Sequence, residues 1–297
     1  MARTLKLQSR SLARGRSGRL VSVTPRRAGW RYIEFGVRQI GRGATWRVDT
    51  GCEEACLVLL GGECDIAWDS ERHRLGPRPD VFSAYPHAVY LPPRTRATLT
   101  ALTTTQLAEC RAPAAGHLPA RVIRPADCGF EIRGGGNATR QIVDIMPPPF
   151  PAERLMICEV FTPGGNWSSY PPHKHDTDTP PLEVDLEETY YYRFREPDAF
   201  GVQRLYGPRD RGDVALTVRD GELVLVRDGY HPFVAAHGYD AYYLNVLAGR
   251  RRSMAASDDP RYAAFRQTWP APDPRVPLVA PPYDPGVAPR PSWALPR

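Results

Sequence analysis

The sequence contains no apolar run approaching the roughly 18–20 residues that a helix needs to cross a bilayer, and no short apolar core behind a basic start that would mark a signal peptide. It also lacks CxxC pairs: the six cysteines follow none of the spacings of a small disulfide-stapled domain. They read as buried free thiols in a reducing compartment, so the protein is expected to be cytoplasmic. No period of about 20–50 residues recurs, which excludes solenoids and propellers. Acid is missing at the start: nine Lys or Arg residues lie between Arg3 and Arg31, and the first carboxylate is Glu34. An organelle presequence shares that composition. The rest of the chain is nearly balanced, and recognition-helix, RRM and zinc-finger patterns are absent, so the net charge of +6 reads as a solvated basic face rather than a nucleic-acid footprint.

What is present is strand. The segments CLVLLGGECDIAW, HAVYLPP, ATLTALTT, RLMICEVFTP, ETYYYRF, VALTV, ELVLV and AYYLNVLAG are short, β-branched or aromatic, and separated by Gly, Pro, Asp or Asn turns. That spacing predicts an all-β protein built of sandwiches or barrels. Helical periodicity is scarce, and only SDDPRYAAFRQTW is expected to be a helix, with Asp258 or Asp259 as N-cap and Pro260 in its first turn. At 297 residues the chain suits two domains. Strand-rich blocks run over about 20–112 and 140–250, and the Gly, Ala and Pro-rich stretch between them is the expected crossing. A weak likeness between the blocks suggests a duplicated barrel. Ten of the 32 prolines fall between Pro270 and Pro296, which predicts an extended or disordered tail because proline fixes φ and lacks the backbone donor.

Chemistry concentrates in SSYPPHKHD, residues 168–176. On a strand, positions i and i+2 share a face, so His173 and His175 can converge on one ion while Lys174 faces away, in a structural role. Such a site takes further ligands from other strands, usually carboxylate or imidazole. In LEETYYYRF, Glu188 shares a face with Tyr190, Tyr192 and Phe194, and Glu187 shares the other with Thr189 and Tyr191. After ELVLV come His231 and, six residues on, His237. Residue types alone leave open which glutamate and which later histidine complete a set of three imidazoles and one carboxylate.

That arrangement resembles the metal motifs of cupins. The longer words NWSSYPPHKHD, LEETYYYRF, FGVQRLYG, GYHPFVAAHGYDAYYLNVLAG and LVSVTPRRAGWRYIEFGV resemble the 5-deoxy-glucuronate isomerase family, bicupins of myo-inositol catabolism related to a ketol-isomerase of pectin breakdown. The resemblance covers about residues 19–265, which leaves little room for a cleavable presequence. It implies a duplicated cupin: a metal-free N-terminal barrel over 1–125, a metal-binding barrel over 126–268, and the Pro-rich tail 269–297. It implies the ligands His173, His175, Glu188 and His231. The N-terminal block departs from the pattern, reading RVDTGCEEA where a first motif needs HxH and offering only His87 near a second, so His73, His87 and His117 are expected to be surface or structural.

The implied reaction is an aldose–ketose isomerisation assisted by a divalent ion, Zn²⁺ first, with Mn²⁺ or Fe²⁺ accepting the same ligands. Asp176, Glu187, Tyr190 and Tyr192 are the candidates for moving the proton, none preferred over the others. A uronate substrate calls for a cation at its carboxylate; Arg204 is the candidate, with Gln203 beside it for sugar hydroxyls. The expected partner is a small uronate, with neither nucleic acid nor membrane, and a homo-oligomer is left open. An Fe(II) dioxygenase using the same cage, and a non-catalytic sugar-binding bicupin, are the competing readings.

Overall fold

The computed structural model describes residues 5–13, 15–116, 118–284 and 286. His117 and residues 287–297 of the Pro-rich segment lie outside these. The chain is all-β, with helix confined to short turns, and no helix among the described residues is long and apolar enough to cross a membrane. It divides into two compact units: one takes residues 1–8, 130–144 and 157–279, the other residues 9–129, 145–156 and 280–297.

In the unit carrying the HxH word, a seven-stranded sheet runs in the order Lys6–Gln8, Glu222–Val226, Leu186–Phe194, Ala241–Gly249, Met156–Thr162, Arg140–Met146, Gly129–Arg133. A second sheet runs Trp167–Ser168, Phe233–Ala235, Phe200–Leu205, Val214–Arg219. The period-2 pattern explains the interior. Tyr190, Tyr192 and Phe194 from one strand, Ala241 and Tyr243 from its neighbour, and Leu205 and Phe233 from the other sheet join one buried cluster. Each large apolar side chain buried this way contributes about 1.5–3 kcal/mol. The phenol of Tyr192 avoids an orphaned hydroxyl by donating to Gln203 Oε1 at 2.6 Å.

In the other unit the 16-residue strand Glu53–Trp68 serves two sets of neighbours. Its first half pairs with Ala88–Leu91 and Thr105–Pro113, and its second half with Glu71–Arg78 and Arg96–Ala101. Register shifts at Leu59/Gly61 and Gly62/Cys64 make the bend. Gly62 adopts φ +99°, and a Cβ there would stand 2.6 Å from the Thr104 carbonyl oxygen, so only glycine fits. Leu57, Leu59, Cys64, Ile66, Val89, Leu99 and Leu107 fill the interior. The buried carboxylate of Glu54 accepts the backbone N–H groups of Glu153, Arg154 and Leu155 at 2.7–2.8 Å, tying that returning segment to the strand.

Several expectations need correction. The stretch SDDPRYAAFRQTW forms no α-helix: Ser257–Asp258 pairs with His173–Lys174, and a 3₁₀ turn covers Ala263–Gln267. The expected cap Asp259 is buried and bound to Tyr206 Oη and the Arg261 guanidinium. Tertiary partners thus take the groups that a helix start would use. Cys52 is exposed; the other five thiols are buried, and all six are free. Part of the Pro-rich segment is docked, with Val279 buried and both its N–H and C=O held by the Gln141 amide. Residues 6–8, read as part of a solvated basic face, form an edge strand, whereas Arg10, Arg16, Arg19, Arg26, Arg27 and Arg31 are exposed.

Candidate metal centre

Three elements bring one donor each to a common point. Glu188 lies on the inward face of the Leu186–Phe194 strand. His175 follows the short strand His173–Lys174, and its carbonyl accepts the Leu186 N–H at 2.9 Å. His231 comes from the turn after Glu222–Val226, fastened by the Tyr206–Tyr230 bridge. Gly229 makes that turn possible at φ +79°, because a Cβ would meet the Tyr206 oxygen at 2.5 Å. The donor atoms of His175, Glu188 and His231 all lie within 4.8 Å of one another, and all three residues are buried. Glu188 Oε2 stands 2.9 Å from His175 Nε2 and 3.1 Å from His231 Nε2. The His173 ring is 4.9 Å from that of His231 and 6.5 Å from that of His175, so it flanks the group of three.

Backbone carbonyls set the imidazole tautomers. His175 Nδ1 faces Leu186 O at 3.1 Å, His231 Nδ1 faces Gly229 O at 3.0 Å, and His173 Nδ1 faces Pro171 O at 3.2 Å. A carbonyl only accepts, so each Nδ1 carries hydrogen and each Nε2 presents a lone pair. His231 Nε2 is buried without a hydrogen-bond partner. Lone pairs converging on a buried carboxylate require a cation. One proton satisfies a single contact, whereas a divalent ion satisfies all three donors. Ligands bound at about 2.0–2.1 Å in a tetrahedron sit roughly 3.3 Å apart, close to the spacings seen. The residues therefore fit a metal.

The electrostatics favour a charged Glu188 and a neutral His173, while Glu188 draws His175 toward its charged form. Burial raises the Glu188 pKa, but His231 and His175 outweigh it and hold the carboxyl well below its ordinary range. Burial lowers His175, and Glu188 more than offsets this. Burial, then His231 and His175, push His173 well down, which keeps it neutral and able to donate a lone pair.

Other candidates fall elsewhere. Glu187 projects from the strand face opposite Glu188 and is not brought to the cluster. Asp176 is spent on Lys174 Nζ at 2.6 Å and the Gly229 N–H at 2.8 Å, so it fastens the loop. Lys174 also binds the buried Glu183 at 2.7 Å. Tyr192 is engaged with Gln203, and Gln203 Nε2 donates to His231 O at 3.1 Å. Gln203 thus positions His231, and its side chain is fully buried. Arg204, on the other face of its strand, is held by Asp213 at 2.7 and 2.9 Å and by Asp210 at 3.2 Å, over the Tyr206 ring. Tyr190 remains, its ring 6.0 Å from His231 and its hydroxyl 2.9 Å from Ser169 Oγ. His237 is exposed. In the other unit His73 stacks on Trp68 and bonds Glu71, while His87 is half-buried.

Sequence reasoning missed Asn245, which donates to Glu188 Oε1 at 2.6 Å. A lone amide in the apolar run AYYLNVLAG was the available signal. It also missed Ser168, 2.6 Å from Tyr243 Oη. A cleft of about 310 Å³ opens between Pro172 and Pro232, which adjoin His173 and His231; Ala138, Trp167, Tyr170 and Arg204 are among the residues lining it.

The model of the KduI/IolB family matches residues 6–265. A 5-deoxy-glucuronate isomerase of Geobacillus kaustophilus is 46% identical over 245 residues, 82% of this chain and 89% of that protein. Its counterpart in Bacillus subtilis strain 168 is 36% identical over 81% of this chain and 90% of its own. Among solved structures, an IolB-like protein from Salmonella typhimurium aligns with TM-score 0.85 and 38% identity, covering 88% of this chain and 99% of that one. Oxalate decarboxylase of Bacillus subtilis, described with Mn(II) centres, aligns with TM-score 0.60 at 10% identity over 87% and 80% of the two chains, a likeness of fold alone.

Proposed function

The chain belongs to the KduI/IolB family, and from that premise we propose that it isomerises 5-deoxy-glucuronate to 5-dehydro-2-deoxy-gluconate, an aldose–ketose interconversion in myo-inositol catabolism, with a divalent ion at the cluster. The observation carrying the metal is the convergence of His175, Glu188 and His231 with every Nε2 lone pair turned inward. His173 is the fourth proposed ligand. Imidazole and carboxylate donors suit Zn²⁺ first, then Mn²⁺ or Fe²⁺. When bound, an ion held by these residues would supply Lewis acidity for the isomerisation.

The chain's own residues do the rest. Asn245 fixes the Glu188 carboxylate, and Gln203 holds the His231 backbone. Trp167 and Tyr170 wall the cleft and exclude water from the sugar. The Tyr190 hydroxyl, paired with Ser169, is the proposed group for holding a proton beside the reacting carbons. The enzyme is proposed to be cytoplasmic, which its free thiols support.

The test is His175→Ala and His231→Ala, assayed on 5-deoxy-glucuronate with elemental analysis and circular dichroism. Both variants should fold, lose the metal and lose turnover by at least about 10²-fold, since the interaction removed stabilises charge in the transition state. Wild-type turnover without metal in either variant refutes the centre. Oxygen uptake by the native enzyme, or a product differing in mass from the substrate, refutes the isomerisation.

A further inference from the structure

Arg140 is 3% exposed. It opens the strand Arg140–Met146 and shares a face with Ile142, a member of the interior cluster of the unit that holds the metal centre. Its Nη1 donates to the carbonyls of Ala138 and Tyr170, each at 3.0 Å. Among the described residues its hydrogen bonds run from Nη1 alone and no carboxylate pairs with the guanidinium, which faces the Trp269 ring with Cζ 5.9 Å from its centroid. The acid acting on it, Glu131, is already bound to Arg133 at 2.7 and 2.8 Å.

A buried cation without a counterion is costly, and natural structures rarely keep one idle. Burial pushes its pKa down to about 10, which leaves it charged at neutral pH. The surroundings say what it serves. Ala138 and Tyr170, whose carbonyls anchor it, both line the cleft that Pro172 and Pro232, the chain neighbours of His173 and His231, also line. Tyr243, whose ring packs 4.6 Å from that of Tyr190, belongs to the same interior cluster as Ile142. Arg204, the arginine that lines the cleft, has its fork filled by Asp213.

We propose that Arg140 is the residue that receives the carboxylate of the uronate, through Nε and Nη2, the donors not used in those hydrogen bonds. The assignment rests on the isomerase reading above and adds to it the group that selects an acid over a neutral sugar. A planar guanidinium matches both carboxylate oxygens, and the two backbone carbonyls hold its far side still.

The test compares wild type, Arg140→Gln and Arg140→Lys on 5-deoxy-glucuronate and on the neutral aldose carrying a hydroxymethyl group in place of the carboxylate. Bound metal is measured by elemental analysis and folding by circular dichroism. In Arg140→Gln, KM for the uronate should rise about 10- to 100-fold with metal retained and kcat changed far less, and the preference for the uronate over the neutral aldose should collapse. Arg140→Lys, a point charge without the fork, should raise KM at least about fivefold. A folded, metalled Arg140→Gln with wild-type KM and wild-type preference overturns the assignment. If that variant fails to fold, Arg140→Lys decides, and an unchanged KM there overturns it. Absence of turnover by the wild type sinks the isomerase reading itself. Turnover by the wild type with indifferent variants sinks only the role of Arg140.

Discussion

Asn245 is itself no member of the donor cluster, yet it sets the direction of one that is. Its Nδ2 holds Glu188 Oε1 at 2.6 Å, leaving Oε2 for the two imidazoles. Partners of this kind typically carry 10–100-fold in metal affinity or activity. Asn245→Leu should therefore weaken Zn²⁺ binding by about that factor in competition with a chromophoric chelator; wild-type affinity would mean that the strand alone orients Glu188. His87 makes a different prediction. Burial, with Arg78 and Arg124 nearby, lowers its pKa from 6.5 to about 4. The unfolded chain then binds more protons than the folded one between these values, so this residue's contribution is present above 6.5 and is lost as pH falls toward 4. The Tm advantage of wild type over His87→Gln should shrink over that window in thermal melts. A constant difference would remove His87 from the acid response.

Elements extend what residues begin. The HxH word is legible because a strand sends i and i+2 to one face, and GYHP because it ends a strand at a glycine-dependent turn. Glu187 and Asp176 do not join the cluster, because nearness in sequence is not nearness in space: strand phase turns Glu187 away, and Lys174 and Gly229 hold Asp176. Gln203 and Arg204 show the same limit, since which of two adjacent side chains faces inward depends on a register that one strand cannot reveal. The strand Lys6–Gln8 left no local trace, being three residues in a basic stretch whose pairing lies more than two hundred positions away. It covers the edge of Glu222–Val226, the strand leading to His231, and Lys6 binds Glu222 at 2.9 Å. The ion pair alone is worth little at a partly exposed site, but an uncovered edge invites intermolecular pairing. Removing residues 1–8 should lower Tm by about 2–8 °C, the shift that 1–2 kcal/mol gives in a chain of this size, and hasten aggregation in light scattering. A truncated protein as stable and soluble as the parent would assign the strand no role.

For the molecule as a whole, alternation and turn residues made the all-β class readable, and the long motif words made the family readable. The assignment of segments to units was not, because it is decided by contacts between distant pieces. Residues 6–8 and 130–144 join 157–279 around one interior, and Glu54 claims 153–155 for the other unit. The unit with the metal centre is therefore sewn from three stretches of chain. In the order of synthesis, Gln8 leaves the ribosome long before its partner Glu222 exists, a wait on the order of 10–40 s at about 5–20 residues per second. The strand Lys6–Gln8 can thus be placed only after residues some two hundred positions further on exist, and the edge of the strand that leads to His231 is closed by a piece that has had to wait for it.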